Sequence, residues 1–351
     1  MKKLIFILIA SLVLVCACDR RPLEYVSDEN ASIAINYDWE TAFGETPSGV
    51  TLMAYGSDGS SQQNISNNAT NMLLNLGVGI WKILSFNLST TEFNSFTFNK
   101  MNDYDSAQVK LNDIESDTYT NGTWDTGVKY KQEAENLAGI TDTIRITEEM
   151  ISDSKSFNTT GSDSTTKKYV IKETPKPLNT KLTVRIRVNN INSIKSSIGS
   201  INGLAGGYIL TMHHASTDKA TFLLQDMKTT VDSTGATSGW LTTNLSTFGL
   251  PYGKENINSR IDDDNILTLY LKLSDNKTEK LFTYNVGKII NYAQEVTRAL
   301  EPTSNVTQNL LLIINDGPEL PKIDNNSSGG GSGFDAEVDD WGDGGNTNID
   351  I

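Results

Sequence analysis

Residues 181–188 alternate without a break. Leu182, Val184, Ile186 and Val188 fall on one side, and Lys181, Thr183, Arg185 and Arg187 on the other. A period of two puts successive side chains on opposite faces of a strand. The segment therefore reads as a half-buried antiparallel strand, apolar inward, with its arginines on a solvated face. Leu267, Leu269, Leu271 and Leu273 repeat the pattern against Thr268, Tyr270 and Lys272. Asp275-Asn276-Lys277 then turns the chain, and Phe282, Tyr284 and Val286 return as a hairpin partner. Asn, Asp, Ser, Thr and Gly crowd the sequence, while long Ala/Leu/Glu/Lys stretches are nearly absent. The expected class is all-β, with many turns.

The same reading extends along the chain. Ile33, Ile35 and Tyr37 alternate ahead of Trp39, residues 43–49 form a loop, and 50–55 make a second strand before a turn at Ser57-Asp58-Gly59-Ser60. Residues 72–76 and 79–87 read as strands joined by a tight turn at Gly77. Phe93, Phe96 and Phe98 are expected to plug the end of a sandwich core rather than bind a ligand. From 101 to 172 the pattern loosens, with 152–166 a polar connection. Pro175 and Pro177 mark an extended linker that cannot lie in a central strand. Beyond it, 193–201 reads as a short helical turn and 208–214 as a strand. Ile289, Ala293, Val296 and Leu300 recur at helical spacing before Pro302, and 310–314 is an apolar run suited to a strand buried on both faces. The expected division is 1–17 leader, 18–30 tether, 31–174 and 178–323 tandem β-sandwich domains, and 324–351 a terminal strand segment on a Gly/Ser spacer.

The leader has its own chemistry. Lys2 and Lys3 precede an apolar run over 4–15, and Ala17 stands directly before Cys18. A basic start, a short apolar core and a small residue before a cysteine form the plan of a lipoprotein signal. The core is well short of the roughly 20 residues a spanning helix needs. Cys18 is the expected diacylglycerol acceptor, because Cys16 follows bulky Val15. Of two cysteines in 351 residues one leaves with the leader, so no disulfide is expected. Net charge is −14, and loss of Lys2 and Lys3 takes it to −16, which disfavours nucleic acid and anionic membrane surfaces as direct partners. Attachment to the outer membrane is expected through the lipid, with the protein exposed at the cell surface.

Nothing in the sequence assembles a catalytic set, and no cofactor or metal is expected. His213 and His214, the only histidines, would point to opposite faces of a strand. There is no nucleophile elbow, phosphate loop or metalloprotease helix. Glu148-Glu149, Asp262-Asp263-Asp264 and Asp339-Asp340 could serve glycosidase chemistry, or the Asp262 run could collect Ca²⁺, but neighbouring acids in turns are usually solvated surface. Trp124 and Trp240 are the candidate sugar platforms if the chain binds glycan, as in a polysaccharide-uptake system. In the tail, Phe334, Val338, Trp341, Ile349 and Ile351 lie on strand-like pieces, which could fold back on their own domain or reach another molecule.

Cys18-Asp19-Arg20-Arg21-Pro22-Leu23-Glu24, Trp39, Glu45-Thr46-Pro47-Ser48-Gly49-Val50-Thr51, Gly79, Phe86-Asn87 and Phe93 together resemble a family of Bacteroidales lipoproteins. That family is similar to the fimbrillin-like pilus subunits, anchors and tip proteins. The strand over 180–188, the Leu204-Ala205-Gly206-Gly207 turn, the strand over 267–273 and a late helix resemble a fimbrillin C-terminal domain. The resemblance implies two transthyretin-like sandwich domains in tandem, no reaction, fimbrial subunits as partners, and association by β-strand augmentation with 334–351 as donor. A host or glycan ligand is a further expected partner, independent of that resemblance. Arg20 and Arg21 stand too close to the lipid to be a maturation site, which favours a permanently held anchor or accessory subunit. Ser106, Thr143, Ser164 and Ser233, each after an Asp and before a small or apolar residue or Thr, resemble the O-glycosylation sites of exported Bacteroides-type proteins.

Overall fold

The computed structural model describes residues 30–114, 128–159, 169–292 and 309–323. They form five sheets, all-β apart from two short helices, α1 (Glu40–Phe43) and α2 (Glu148–Thr159), and four 3-10 turns.

Sheet A places β1 (Asn30–Tyr37) between β10 (Val170–Glu173) and β4 (Asn71–Gly77). Sheet B runs β11 (Lys176–Pro177), β9 (Ala138–Ile146), β5 (Gly79–Asn87), β2 (Val50–Gly56) and β3 (Ser61–Ser66). The two sheets enclose Ile33, Ile35, Trp39, Val50, Leu52, Leu74, Leu76 and Ile83. β2 is buried on both faces. Val50, Leu52 and Ala54 belong to this core, whereas Met53 and Tyr55 join Leu84 and Phe86 in a second core on the other side of sheet B.

That second core is shared by the two halves of the chain. Sheet C is built from β6 (Phe96–Asn99) and β7 (Gln108–Leu111) of the first half and β14 (Gly207–Ile209) and β15 (His214–Ala215) of the second. Phe93, Phe96 and Phe98 cluster there with ring centroids 4.6 to 5.7 Å apart, and Phe96 lies 5.9 Å from Phe248. The aromatic group fills a core, across the Pro-rich linker. β8 (Tyr130–Lys131) likewise pairs with β16 (Lys219–Leu224).

The second half packs two five-stranded sheets. Sheet D runs β20 (Glu279–Asn285), β19 (Ile266–Leu273), β13 (Ile194–Ala205), β16 and β8. Sheet E runs β17 (Lys228–Val231), β18 (Ser238–Thr247), β12 (Thr180–Asn189), β22 (Leu310–Ile314) and β21 (Asn291–Tyr292). The leucines of β12 and β19 face inward, as the alternation requires. The halves repeat one arrangement: the first strand of each, β1 or β12, runs parallel to its last, β10 or β22, and antiparallel to another.

Several local readings change. Residues 193–201 are not helical: a 3-10 turn at Ile191–Ser193 runs straight into β13, a central strand between β16 and β19. Its small residues suit the close approach of β19, since a Cβ on Gly199 would meet the Thr268 carbonyl at 2.5 Å. A bulge in β13 between Ile201 and Leu204 uses Gly203 at φ +77°. β4 and β5 are both present but lie in different sheets, so Gly77 ends one layer and begins the other. Helix α2 replaces part of the polar connection, with Glu148 and Glu149 in the first turn, where the helix dipole favours negative charge. Of the helix read over 289–300, Asn291–Tyr292 is strand and 293–308 lies outside the described residues.

Candidate functional site

Cys18, the expected lipid acceptor, lies outside the described residues, and the first described strand is β1. β1 begins at Asn30 and is hydrogen-bonded on both sides, to β4 from Asn30 to Asn36 and to β10 from Ala34 to Tyr37. Ala31, Ile33, Ile35 and Tyr37 are buried, and the Tyr37 hydroxyl meets Ser85 Oγ at 2.8 Å. Between Arg21 and Lys82 the chain has no Lys or Arg, so a protease requiring a basic residue has no place to remove β1. The first described strand is therefore the middle strand of a sheet.

Sheet edges are the natural docking elements of a β protein, because they present unpaired backbone N–H and C=O groups. Among the described residues three edge strands exceed four residues: β3, β4 and β20. β20 carries Glu279 and Lys280, the charges with which an edge is usually blunted. β3 and β4 carry none. Residues 59–81 contain no Asp, Glu, Lys or Arg in a chain that is 21% charged. Ile65 on β3 is 57% exposed, Leu73 on β4 46%, Val78 just after β4 56% and Ile80 at the start of β5 45%. This run was legible in the sequence as a gap in the charge pattern.

At the far end of sheet A, burial, the negative charge of Asp142 and a hydrogen bond with it push the Glu173 carboxyl up to about 7. The Glu173 backbone carbonyl accepts from the Asp38 N–H just past β1.

The remaining sequence candidates scatter. Phe334, Val338, Trp341, Ile349, Ile351, Ser164, Trp124 and the Asp339-Asp340 pair lie outside the described residues. Ser106 ends a 3-10 turn, its hydroxyl donating to Asp103 Oδ2 at 2.6 Å, while Thr143 on β9 and Ser233 in the β17–β18 turn are exposed. Trp240 is not a bare platform, since the Arg185 and Arg187 guanidinium carbons sit 4.6 and 5.3 Å from its ring. Those arginines are thus engaged, Arg187 also pairing with Asp232. The histidines do part company, though not as strand neighbours. His213 adopts φ +52° in a turn and its Nε2 lies 2.6 Å from Thr141 Oγ1, whereas His214 on β15 stacks on Tyr252. Asp264 is buried beneath Lys219 and Lys254 at 3.2 and 2.9 Å, an ion-pair knot rather than a cation cage. Among the described residues no group of three or more His, Cys, Asp or Glu is placed to hold a metal ion, and no helix is long and apolar enough to cross a membrane.

No curated protein matches the chain. Among solved structures, a "putative adhesin" from Bacteroides ovatus ATCC 8483 shares the fold. Its TM-score is 0.53 at 14% identity, over 88% of this chain and 98% of that one. A second Bacteroides ovatus protein of the same description gives 0.47 at 12% identity, over 81% and 86%. The fimbrial anchor protein Mfa2 from Porphyromonas gingivalis gives 0.39 at 13% identity, over 81% and 90%. A sequence family described as "Domain of unknown function (DUF5119)" matches residues 17–225, well over half of the chain, and the protein belongs to that family.

Proposed function

We propose that this protein is a cell-surface lipoprotein held in the outer membrane through Cys18, and that it serves as a fimbrillin-like anchor or accessory subunit in adhesion or pilus assembly. The observation that carries the reading is the position of β1. It starts shortly after Cys18 and is ladder-bonded on both sides in sheet A. A lipid on Cys18 is then fastened to the core of the protein rather than to a dispensable arm. The basic-residue gap from Arg21 to Lys82 points the same way, as does a fold shared with an adhesin-described protein of Bacteroides ovatus.

Partners are fimbrial subunits, joined by β-strand augmentation. Main-chain hydrogen bonds supply affinity in that mode and alternate side chains supply specificity. The charge-free edges β3 and β4 are the accepting surface this reading favours, and 334–351 is the donor segment. Tandem transthyretin-like sandwiches are the architecture that goes with it, and the repeated parallel pairing of first and last strands in each half supports them.

The test uses cells expressing the full chain, Cys18→Ala, and a truncation lacking 324–351. Radiolabelled palmitate should enter the first and last of these but not Cys18→Ala. The truncation should remain folded and membrane-held yet no longer co-purify with fimbrial subunits. Co-purification at the full-length level would remove the donor role, and palmitate in Cys18→Ala would remove the anchor.

A further inference from the structure

A cavity of about 720 Å³ opens where the two halves meet, within the usual range for small-molecule sites. β9 and the linker line one side through Thr141 and Lys176. The β14–β15 hairpin, the loop after β18 and β21 line the other, through Tyr208, His214, Glu255 and Tyr292. The contact of His213 with Thr141 crosses from one side to the other.

What distinguishes this cavity is the number of polar groups in it with hydrogen-bonding capacity to spare. The Tyr208 and Tyr292 hydroxyls make no hydrogen bond among the described residues, and neither the Lys176 amine nor the Glu255 carboxylate has an ion-pair partner there. His214 commits Nδ1 to the Ala215 carbonyl at 2.8 Å, which leaves Nε2 uncommitted. Nearby polar groups behave differently: Lys254 and Lys219 both close on Asp264.

Tyr252 is not part of the lining but adjoins it through His214, on which its ring stacks with centroids 3.9 Å apart and planes 22° from parallel. Tyr252 is 54% exposed, which leaves aromatic surface beside the cavity in reach of a ligand.

We infer that this cavity binds a short pyranose oligosaccharide. A lining with one lysine and one carboxylate is a poor match for phosphate, which calls for concentrated positive charge. Five uncommitted polar groups are a poor match for a lipid chain, because burying them unpaired is costly. A sugar ring satisfies both halves of the lining. Its C–H face lies on an aromatic ring, while its hydroxyls donate and accept among tyrosine, imidazole, amine and carboxylate groups. The site rests on the adhesive reading for its purpose only, and sugar binding is measured independently of assembly.

The test is saturation-transfer difference NMR on the full lipidated chain in a sugar-free detergent. The probes are lactose, N-acetyllactosamine, 3′-sialyllactose, chitobiose and mannobiose. At least one probe should receive saturation on its ring protons. Tyr252→Ala and Tyr292→Phe should each weaken that probe about fivefold to tenfold, the loss of one stacking surface or one neutral hydrogen bond. Leu281→Ala, on exposed edge strand β20 and outside the cavity lining, should bind as the parent does, and all three variants should keep the parent circular dichroism spectrum. Absence of transfer to every probe overturns the inference, as does transfer that both cavity variants leave unchanged. Loss of pilus association with sugar binding intact would remove the assembly reading alone.

Discussion

Replacing Ile33 by alanine tests whether β1 is a fixed part of the fold. Ile33 is fully buried, sits opposite Leu74 on β4, and belongs to the core that sheets A and B enclose. The change deletes three carbons. At about 0.8 kcal/mol per buried CH₂ the transfer loss alone is roughly 2.4 kcal/mol. The cavity left among Leu52, Leu74 and Trp39 adds to it, because a core held by ladders on both sides relaxes only in part, and brings the expected loss to about 3–4 kcal/mol. Against a typical stability of about 5–15 kcal/mol this is a large fraction. Urea unfolding followed by tryptophan fluorescence reads it directly, since Trp39 lies in the same core and donates to the Ala69 carbonyl. The midpoint should fall with an unchanged slope. A loss below about 1 kcal/mol for Ile33→Ala would refute the reasoning, because it would mean that β1 is not held in the sheet.

Three further outcomes follow. The Glu173 carboxyl, raised to about 7, contributes stability that is full below the ordinary carboxylate range and is lost as pH rises through about 7. The urea midpoint should therefore fall between pH 5 and pH 8, and Glu173→Gln should flatten that dependence. Asp264 runs the opposite way. Its hydrogen bond from Lys254 and the Ile261 backbone N–H hold it at about 2, so its stabilisation is present above about pH 4 and fades toward pH 2, a loss that Asp264→Asn should show already at pH 7. Sheet C and the Phe96–Phe248 contact predict one cooperative urea transition, lowered about 3–5 kcal/mol by Phe96→Ala, whereas two separated transitions would make 31–174 and 178–323 independent folding units.

The strands that could be read from sequence are those whose burial is written in their own period. β12 and β19 alternate cleanly because one face meets the core and the other meets water. What could not be read is which strand pairs with which. Nothing in the alternation of 96–111 says that β6 and β7 complete a sheet with 207–215, since that pairing is set by the shared aromatic core. β13 escaped because its Ser and Gly residues carry little strand propensity, and neighbours on both sides impose the conformation. The cavity has no sequence signature, as its lining comes from five separate segments. The charge-free run over 59–81, by contrast, stood in plain view, and its meaning emerged once β3 and β4 proved to be edges.

The central claim, that the lipid and β1 remain joined in the working protein, is tested most directly by mass spectrometry of the N-terminal peptide of protein purified from outer membranes. The account predicts a peptide beginning at Cys18, carrying a diacylglycerol mass and continuing unbroken through Asn30 to Tyr37. An unlipidated mature chain that begins after Arg21, or one that begins beyond Tyr37, would contradict it.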